Sequence, residues 1–226
     1  MNERQALILK TIIQEYIKTG LPVSSQAIVD NYQLAVSSAT IRNEMAELES
    51  DGLIAQPHTS AGRLPTPAAF KWYARDLSAV KPDARESKIL DTVLRPGVDC
   101  DCKLLAKTLA GLSDAAAFWA KHRHHIYYTG LTNLLTQPEF ASQSLVGSIS
   151  AVIDSLDDIV NDYFDHMTDH PTILVGGEGP FGDFCSSVLW KYQTADGEAA
   201  FGILGPLRMD YSRNLGLLSY VYQQLN

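Results

Sequence analysis

Residues 37–65, SSATIRNEMAELESDGLIAQPHTSAGRLP, carry a helix and a hairpin in one run. The hydroxyl of Ser37 or Ser38 can accept a hydrogen bond from a free amide of a first helical turn, so a helix is predicted from there to about Asp51-Gly52. At roughly 100° per residue, Ile41, Met45 and Leu48 fall within about 60° of one another. That stripe is the buried one, and Asn43 points outward. Thr40 and Arg42 flank Asn43 near the helix start, whereas Glu44, Glu47, Glu49 and Asp51 crowd the later turns. The amino end is therefore the non-acidic end. Leu53-Ile54-Ala55-Gln56 then reads as a short strand and Arg63-Leu64 as its return, joined by Pro57-His58-Thr59-Ser60-Ala61-Gly62.

Working outward, Leu9, Ile12, Ile13, Tyr16 and Ile17 recur at helical spacing before a stop at Gly20 and Pro22. Ser24 or Ser25 can cap a second, short helix through Ala27 and Ile28 that runs out near Asn31-Tyr32-Gln33. Three short helices, the second and third joined by a tight turn, followed by a hairpin, are the parts of a winged helix-turn-helix. Thr66 before Pro67 starts a fourth helix filled by Phe70, Trp72, Tyr73 and Leu77. From Ser78 to Cys102, Pro82 and Pro96-Gly97 surround one short apolar stretch, which predicts a linker. Beyond it, Leu104-Leu105, Leu109 and Leu112 predict a helix, followed by Ala115 to Trp119 and a strand-like Ile126-Tyr127-Tyr128. Ser148 to Met167 is helix-like, Thr172 to Val175 and Ala200 to Leu204 read as strands, and Asn214 to Leu225 as a closing helix. The expected fold class is α+β, with residues 1–77 a winged helix-turn-helix, 78–102 a linker and 103–226 a mixed second domain.

At 226 residues the chain has room for two modest domains, and 46% hydrophobic with 19% charged residues excludes wholesale disorder. Met1-Asn2-Glu3-Arg4-Gln5 leads into no apolar secretory core, and no apolar run is long enough to span a bilayer. Three cysteines form no disulfide framework, so a cytoplasmic protein is expected. The net charge of −8 is unevenly placed. Up to Asp76 there are 7 basic and 8 acidic residues, leaving 11 and 18 for the remainder. Bulk charge attracts no nucleic acid in either part, so any DNA contact has to come from a local surface with the acidic residues turned away.

The start of the third helix offers such a surface. An α-helix fits the major groove, where side chains at its beginning reach base edges. Arg42 has the donors for guanine, and Asn43 the donor and acceptor for adenine. Ser38 and Thr40 suit phosphate or base oxygens. Ser24 and Ser25 stand where a helix start can hold phosphate. In the hairpin, Arg63 is the formal cation near the tip, Gly62 permits a close backbone approach, and His58, Thr59 and Ser60 add hydrogen-bonding groups. Taken singly, each has an ordinary structural use: serines cap helices, glycine turns the chain, arginine sits in solvent. Their combination carries the reading. With so few phosphate contacts on one copy, affinity has to come from two linked half-sites, so bivalent binding is expected.

Ala39-Thr40-Ile41-Arg42-Asn43-Glu44-Met45, Leu48-Glu49, Gln56 to Arg63 and Pro65-Thr66 resemble the amino-terminal domain of the HrcA family of heat-inducible transcription repressors. Gly130-Leu131-Thr132-Asn133-Leu134-Leu135, Gln137-Pro138-Glu139-Phe140 and Gly205 to Tyr211 resemble blocks of that family's carboxy-terminal, GAF-like domain. The resemblance implies a homodimer that binds double-stranded DNA at an inverted-repeat operator, called CIRCE, upstream of chaperone genes and represses them. It also implies the chaperonin GroEL as a partner. No G-x-S-x-G elbow or H-E-x-x-H is present, so no catalytic residue and no cofactor is expected. Typical members are considerably longer, and where they carry much of the GAF-like domain and a dimerising insertion this chain has only Ala120 to His125. The second domain is therefore expected to be a reduced GAF-like one.

A rival chemistry lies in the acidic, histidine-rich half. His122, His124 and His125 cluster, and Asp162, Asp165, His166, Asp169 and His170 place carboxylates and imidazoles on neighbouring turns, a pattern open to a metal-dependent enzyme or a metal sensor. Cys100 and Cys102 are too closely spaced for a zinc knuckle and have no second pair. Gly176-Gly177-Glu178-Gly179-Pro180 lacks the spacing and lysine of a phosphate loop and reads as a plain turn.

Overall fold

The computed structural model describes residues 1–32, 37–58, 61–94, 100–121, 125–141, 143–194 and 197–225. The chain forms two compact units, Met1–Asp76 and Leu77–Asn226.

In the first unit, local capping sets each helix. Helix α1 (Glu3–Thr19) opens on a reciprocal box in which Asn2 Oδ1 accepts from the Gln5 amide while the Asn2 amide donates to Gln5 Oε1, both at 2.9 Å. It ends at Gly20, whose φ of 66° is left-handed. Helix α2 (Ser25–Tyr32) starts on Ser24, whose Oγ accepts from the Ala27 amide at 3.1 Å. Helix α3 (Ser38–Ser50) starts in the same way on Ser37, which accepts from the Thr40 amide at 3.1 Å. Ile41, Met45 and Leu48 of α3 are buried together with Ile8, Ile12 and Ile28. Each such aliphatic side chain contributes roughly 1.5–3 kcal/mol by leaving water.

Strands β1 (Ile54–Ala55) and β2 (Leu64–Pro65) then pair antiparallel, with Ile54 opposite Pro65. The root of this hairpin is also held from the other side: Val23 and Arg63 exchange both backbone hydrogen bonds, at 2.9 and 2.8 Å. Helix α4 (Pro67–Arg75) follows, capped by Thr66 with proline in its first turn.

The second unit is built on a five-stranded antiparallel sheet. In chain order its elements are α5 (Ala84–Val93), α6 (Cys102–Ser113), β3 (Ala116–Lys121), β4 (His125–Thr129), α7 (Leu131–Leu135), α8 (Gln143–Asp154), α9 (Leu156–Tyr163), β5 (Thr172–Val175), β6 (Cys185–Thr194), β7 (Gly197–Pro206) and α10 (Tyr211–Leu225). The strand order is β4-β3-β7-β6-β5. One face, through Phe118 and Leu189, packs with Phe140, Ile149, Val160 and Phe164. On β6, Trp190 stacks at 4.7 Å on Tyr192 and meets Tyr222 of α10 edge-on at 5.3 Å. Apolar cover of both faces is why β6 and β7 are buried almost without alternation.

The family-like blocks of the second unit have structural uses. Asn133 Nδ2 donates to the Ala110 and Ala115 carbonyls at 3.1 and 3.2 Å, tying α7 to the end of α6. Arg208 pairs with Glu139 and donates to Gln137 Oε1 at 2.8 Å, which joins two of the quoted blocks. Tyr211 bonds Ser186 Oγ at 2.9 Å.

Several expectations need correction. Residues 78–102, read as a linker, contain α5 and belong to the second unit. Arg213 of α10 is salt-bridged to Glu86, Tyr220 donates to Asp91 Oδ1 at 2.6 Å, and the Val80 amide donates to the Ser212 carbonyl at 3.0 Å. Gly216 is what lets this segment lie so close, because a Cβ there would stand 1.8 Å from the Val80 carbonyl oxygen. The helix-like stretch 148–167 is two helices, broken at Ser155, and a short 3-10 turn at Phe164–His166. The closing helix starts at Tyr211 rather than Asn214, and β6 was not anticipated at all.

Candidate nucleic-acid interface

Within the first unit, Val23, Ser24, Ser25, Arg42, Met45, Gln56, Ala61, Gly62 and Arg63 line a cleft of about 430 Å³. It lies between the starts of α2 and α3 and the base of the hairpin. Five of the residues singled out from the sequence meet here: Ser24, Ser25, Arg42, Gly62 and Arg63. Arg42 and Asn43 are both exposed, and neither side chain takes part in an ion pair or hydrogen bond among the described residues.

The acidic residues of α3 are engaged by neighbouring side chains. Glu44 is buried and pairs with Arg4 of α1, whose Nε donates to Glu44 Oε1 at 2.6 Å. Glu47 accepts from Gln5 Nε2 at 2.5 Å. Two of the four carboxylates that crowd this helix are thus fastened to α1. Glu49, seven residues beyond Arg42 on the same face, is in turn paired with Arg63 of the hairpin.

The remaining candidates have mixed positions. Ser25 is buried and its Oγ lies 3.1 Å from Ser38 Oγ, so these two hydroxyls bind α2 to α3. Thr40 is half-buried and its hydroxyl lies 3.0 Å from Ser37 Oγ, while Ser24 is exposed and caps α2. Arg63 is not a free cation: its guanidinium meets Glu49 Oε2 at 3.0 Å through Nε and 2.9 Å through a terminal nitrogen. Gly62 serves the fold, because a Cβ would come within 2.5 Å of the Val23 carbonyl carbon and oxygen. His58 is exposed and its carbonyl accepts from the Ala61 amide at 2.9 Å. Thr59 and Ser60 lie outside the described residues.

Sequence reasoning missed Gln56, which lines the cleft and donates from Nε2 to the Ala61 carbonyl at 3.0 Å, closing the hairpin loop. A long amide side chain directly before a proline-led loop was the available signal.

The rival metal chemistry gains no geometry. Among the described residues no group of three His, Cys, Asp or Glu side chains is placed to hold an ion. His166 stacks on Tyr163 at 5.4 Å. His170 Nδ1 lies 3.0 Å from Asp169, and this contact holds the Asp169 carboxyl below its ordinary value. His122 and His124 lie outside the described residues, and His125 is exposed on β4. The glycine-rich stretch is a short 3-10 turn, Gly176–Glu178, closed by Glu178 accepting from the Val175 amide at 3.2 Å. No helix among the described residues is long and apolar enough to cross a membrane.

The chain is similar to several known proteins. A heat-inducible transcription repressor HrcA of Arthrobacter sp. (strain FB24) is 43% identical over 111 residues, which cover 49% of this chain and 33% of that protein. The HrcA of Mycobacteroides abscessus is 45% identical over 101 residues, 44% of this chain and 30% of its own length. The matched stretch is thus about a third of the length of these relatives. A crystal structure of a hypothetical protein shares the fold, with a TM-score of 0.72 at 18% identity, covering 100% of this chain and 96% of that one. The family model described as HrcA protein C terminal domain matches residues 75–215, most of the second unit and more than half of the whole, and on that match the chain belongs to the HrcA family.

Proposed function

We propose that this protein is a sequence-specific DNA-binding repressor of heat-shock, chaperone-encoding genes, acting as a homodimer on an inverted-repeat operator. In this reading the first unit is a winged helix-turn-helix whose α3 enters the major groove. Arg42 and Asn43 read base edges, and Ser24, Ser38 and Thr40 lie beside the phosphates. The hairpin, with His58, Thr59, Ser60, Gly62 and Arg63, rests against the neighbouring backbone. The second unit is the GAF-like, dimer-forming part. The family supplies the operator class, the cytoplasmic setting and the chaperonin GroEL as partner.

One observation carries this reading: Arg42 and Asn43 are exposed at the amino end of α3 while Glu44 and Glu47 of the same helix are fastened to α1. The carboxylates nearest this surface are engaged, Glu44 by Arg4, Glu47 by Gln5 and Glu49 by Arg63, on a molecule whose net charge is −8. The relatives named as heat-inducible transcription repressors support the regulatory role.

The test is selection of binding sites from random duplex DNA at two salt concentrations with the full chain. Paired half-sites in inverted orientation are expected, with affinity that falls as salt rises. Absence of any enriched sequence after repeated rounds would overturn the proposal.

A further inference from the structure

The second unit holds a cavity of about 700 Å³ at the start of α6, lined by Cys100, Cys102, Lys103, Trp119 and Tyr192 among others. Trp119 is half-buried and faces this space. All three cysteines are free. Cys100 and Cys102 are both partly accessible and adjoin the same cavity, whereas Cys185 is buried.

The surroundings of Cys102 favour its ionised form. Trp119 Nε1, which can only donate, gives its hydrogen to Tyr192 Oη at 3.1 Å. The Tyr192 hydroxyl hydrogen is then free to point at Cys102 Sγ, 3.7 Å away. Cys102 is also the first residue of a twelve-residue helix, where unpaired amides favour a thiolate. As a thiol it donates to the Cys100 carbonyl at 3.4 Å; partial burial opposes ionisation, and so, more weakly, does the Asp101 carboxylate, whose side chain accepts from the Leu104 amide at 3.0 Å. The balance lowers the Cys102 thiol to about 7, with the hydrogen bond from Cys100 as the largest cause. The same contact pushes Cys100 up. Of the two sulfurs, Cys102 is the one that the Tyr192 hydroxyl and the helix start favour as a thiolate.

We propose that Cys102 is a modification site for low-molecular-weight disulfides entering this cavity, and that Cys100 resolves the adduct into a Cys100–Cys102 disulfide. In the first step the Cys102 thiolate attacks one sulfur of the disulfide. A Cys102–S–S–R bond forms, the small molecule's S–S bond breaks, and one RS⁻ leaves and takes a proton from water. In the second, Cys100 gives its proton to solvent and its sulfur attacks Cys102 Sγ, releasing the second RS⁻. One small disulfide is reduced to two thiols while the protein dithiol is oxidised. Two residues apart, the Cα atoms are at most about 7 Å from each other, which reaches the usual disulfide span of about 4.4–6.8 Å. Lys103 and Lys121 on the cavity wall suit a disulfide that carries carboxylates.

The experiment incubates the full chain with oxidised glutathione and follows intact mass and peptide maps. The expected course is a glutathione adduct on Cys102 that converts to a Cys100–Cys102 linkage. Cys100→Ser should trap the adduct, Cys102→Ser should form none, and Cys185 should stay unmodified. Tyr192→Phe, which removes one donor to the sulfur, should slow the first step about threefold at pH 6. One unit of lost acidity cuts the thiolate about tenfold, and the more basic sulfur recovers part of that. Iodoacetamide labelling of the unmutated native chain, with Cys102 first, gives the same answer without relying on a variant's fold. Adduct on Cys100 with Cys102 replaced, or a Cys102 no faster than the same residue in the urea-unfolded chain, overturns the proposal.

Discussion

Replacing Arg42 by alanine isolates the groove-reading hypothesis from folding. Arg42 is exposed on α3 and pairs with nothing among the described residues, so its removal should change unfolding free energy by no more than about 0.5 kcal/mol. Its whole contribution then falls at the DNA surface. A bidentate contact to guanine discriminates by about 1–3 kcal/mol, which is about 5- to 150-fold in affinity for each half-site. A dimer carries two such contacts and should lose about 2–6 kcal/mol on its operator. The assay is titration of labelled duplexes, operator and scrambled, at three salt concentrations. If Arg42 reads a base, affinity for the operator falls, binding to scrambled duplex hardly changes, and the salt slope is kept. If it touches phosphate instead, both duplexes weaken alike and the slope drops by about 0.9 for each lost contact. An unaltered operator affinity would refute the reasoning outright, because no other exposed arginine stands on α3 to substitute for it.

Three further outcomes follow from individual contacts. Glu49→Gln frees Arg63 from a partly exposed pair that stabilises the fold by about 0–1 kcal/mol; duplex binding should strengthen at low salt with a slope steeper by up to about 0.9 per copy, and an unchanged slope would show that Arg63 never meets phosphate. Gly62→Ala drives a Cβ into the Val23 carbonyl group and should destabilise the first unit by about 1–3 kcal/mol; a denaturant midpoint equal to that of the unmutated protein contradicts this. For the thiols, the Cys102 alkylation rate should climb through a midpoint near pH 7 and level off, falling as acid returns the proton. Cys185, pushed up to about 12 by burial, should stay inert throughout, and a shared profile for the two would refute the assignment.

The first unit was legible because its signals are local. Ser24, Ser37, Thr66 and Gly20 mark helix ends through bonds within four residues, and Ile41, Met45 and Leu48 show the buried stripe directly. Strand β6 was not legible for the opposite reason. Cys185 to Thr194 is covered on both faces, so polar-apolar alternation is missing, and its partners are set by long-range pairing with β5 and β7. The place of residues 78–94 depends on Arg213, Ser212 and Tyr220, more than a hundred residues away. In the candidate site, residue types named Arg42 and Asn43 correctly as exposed groups. They could not reveal that Arg63 is held by Glu49 or that Ser25 and Ser38 face each other, since both facts are properties of the packed arrangement.

The double backbone bond between Val23 and Arg63 makes the foot of the hairpin continuous with the chain entering α2. Residues beyond that clamp, at the tip, are then at liberty to lengthen, shorten or change character over generations without loosening what lies beneath. Inheritance can therefore tinker with the tip while the scaffold below it stays as it was.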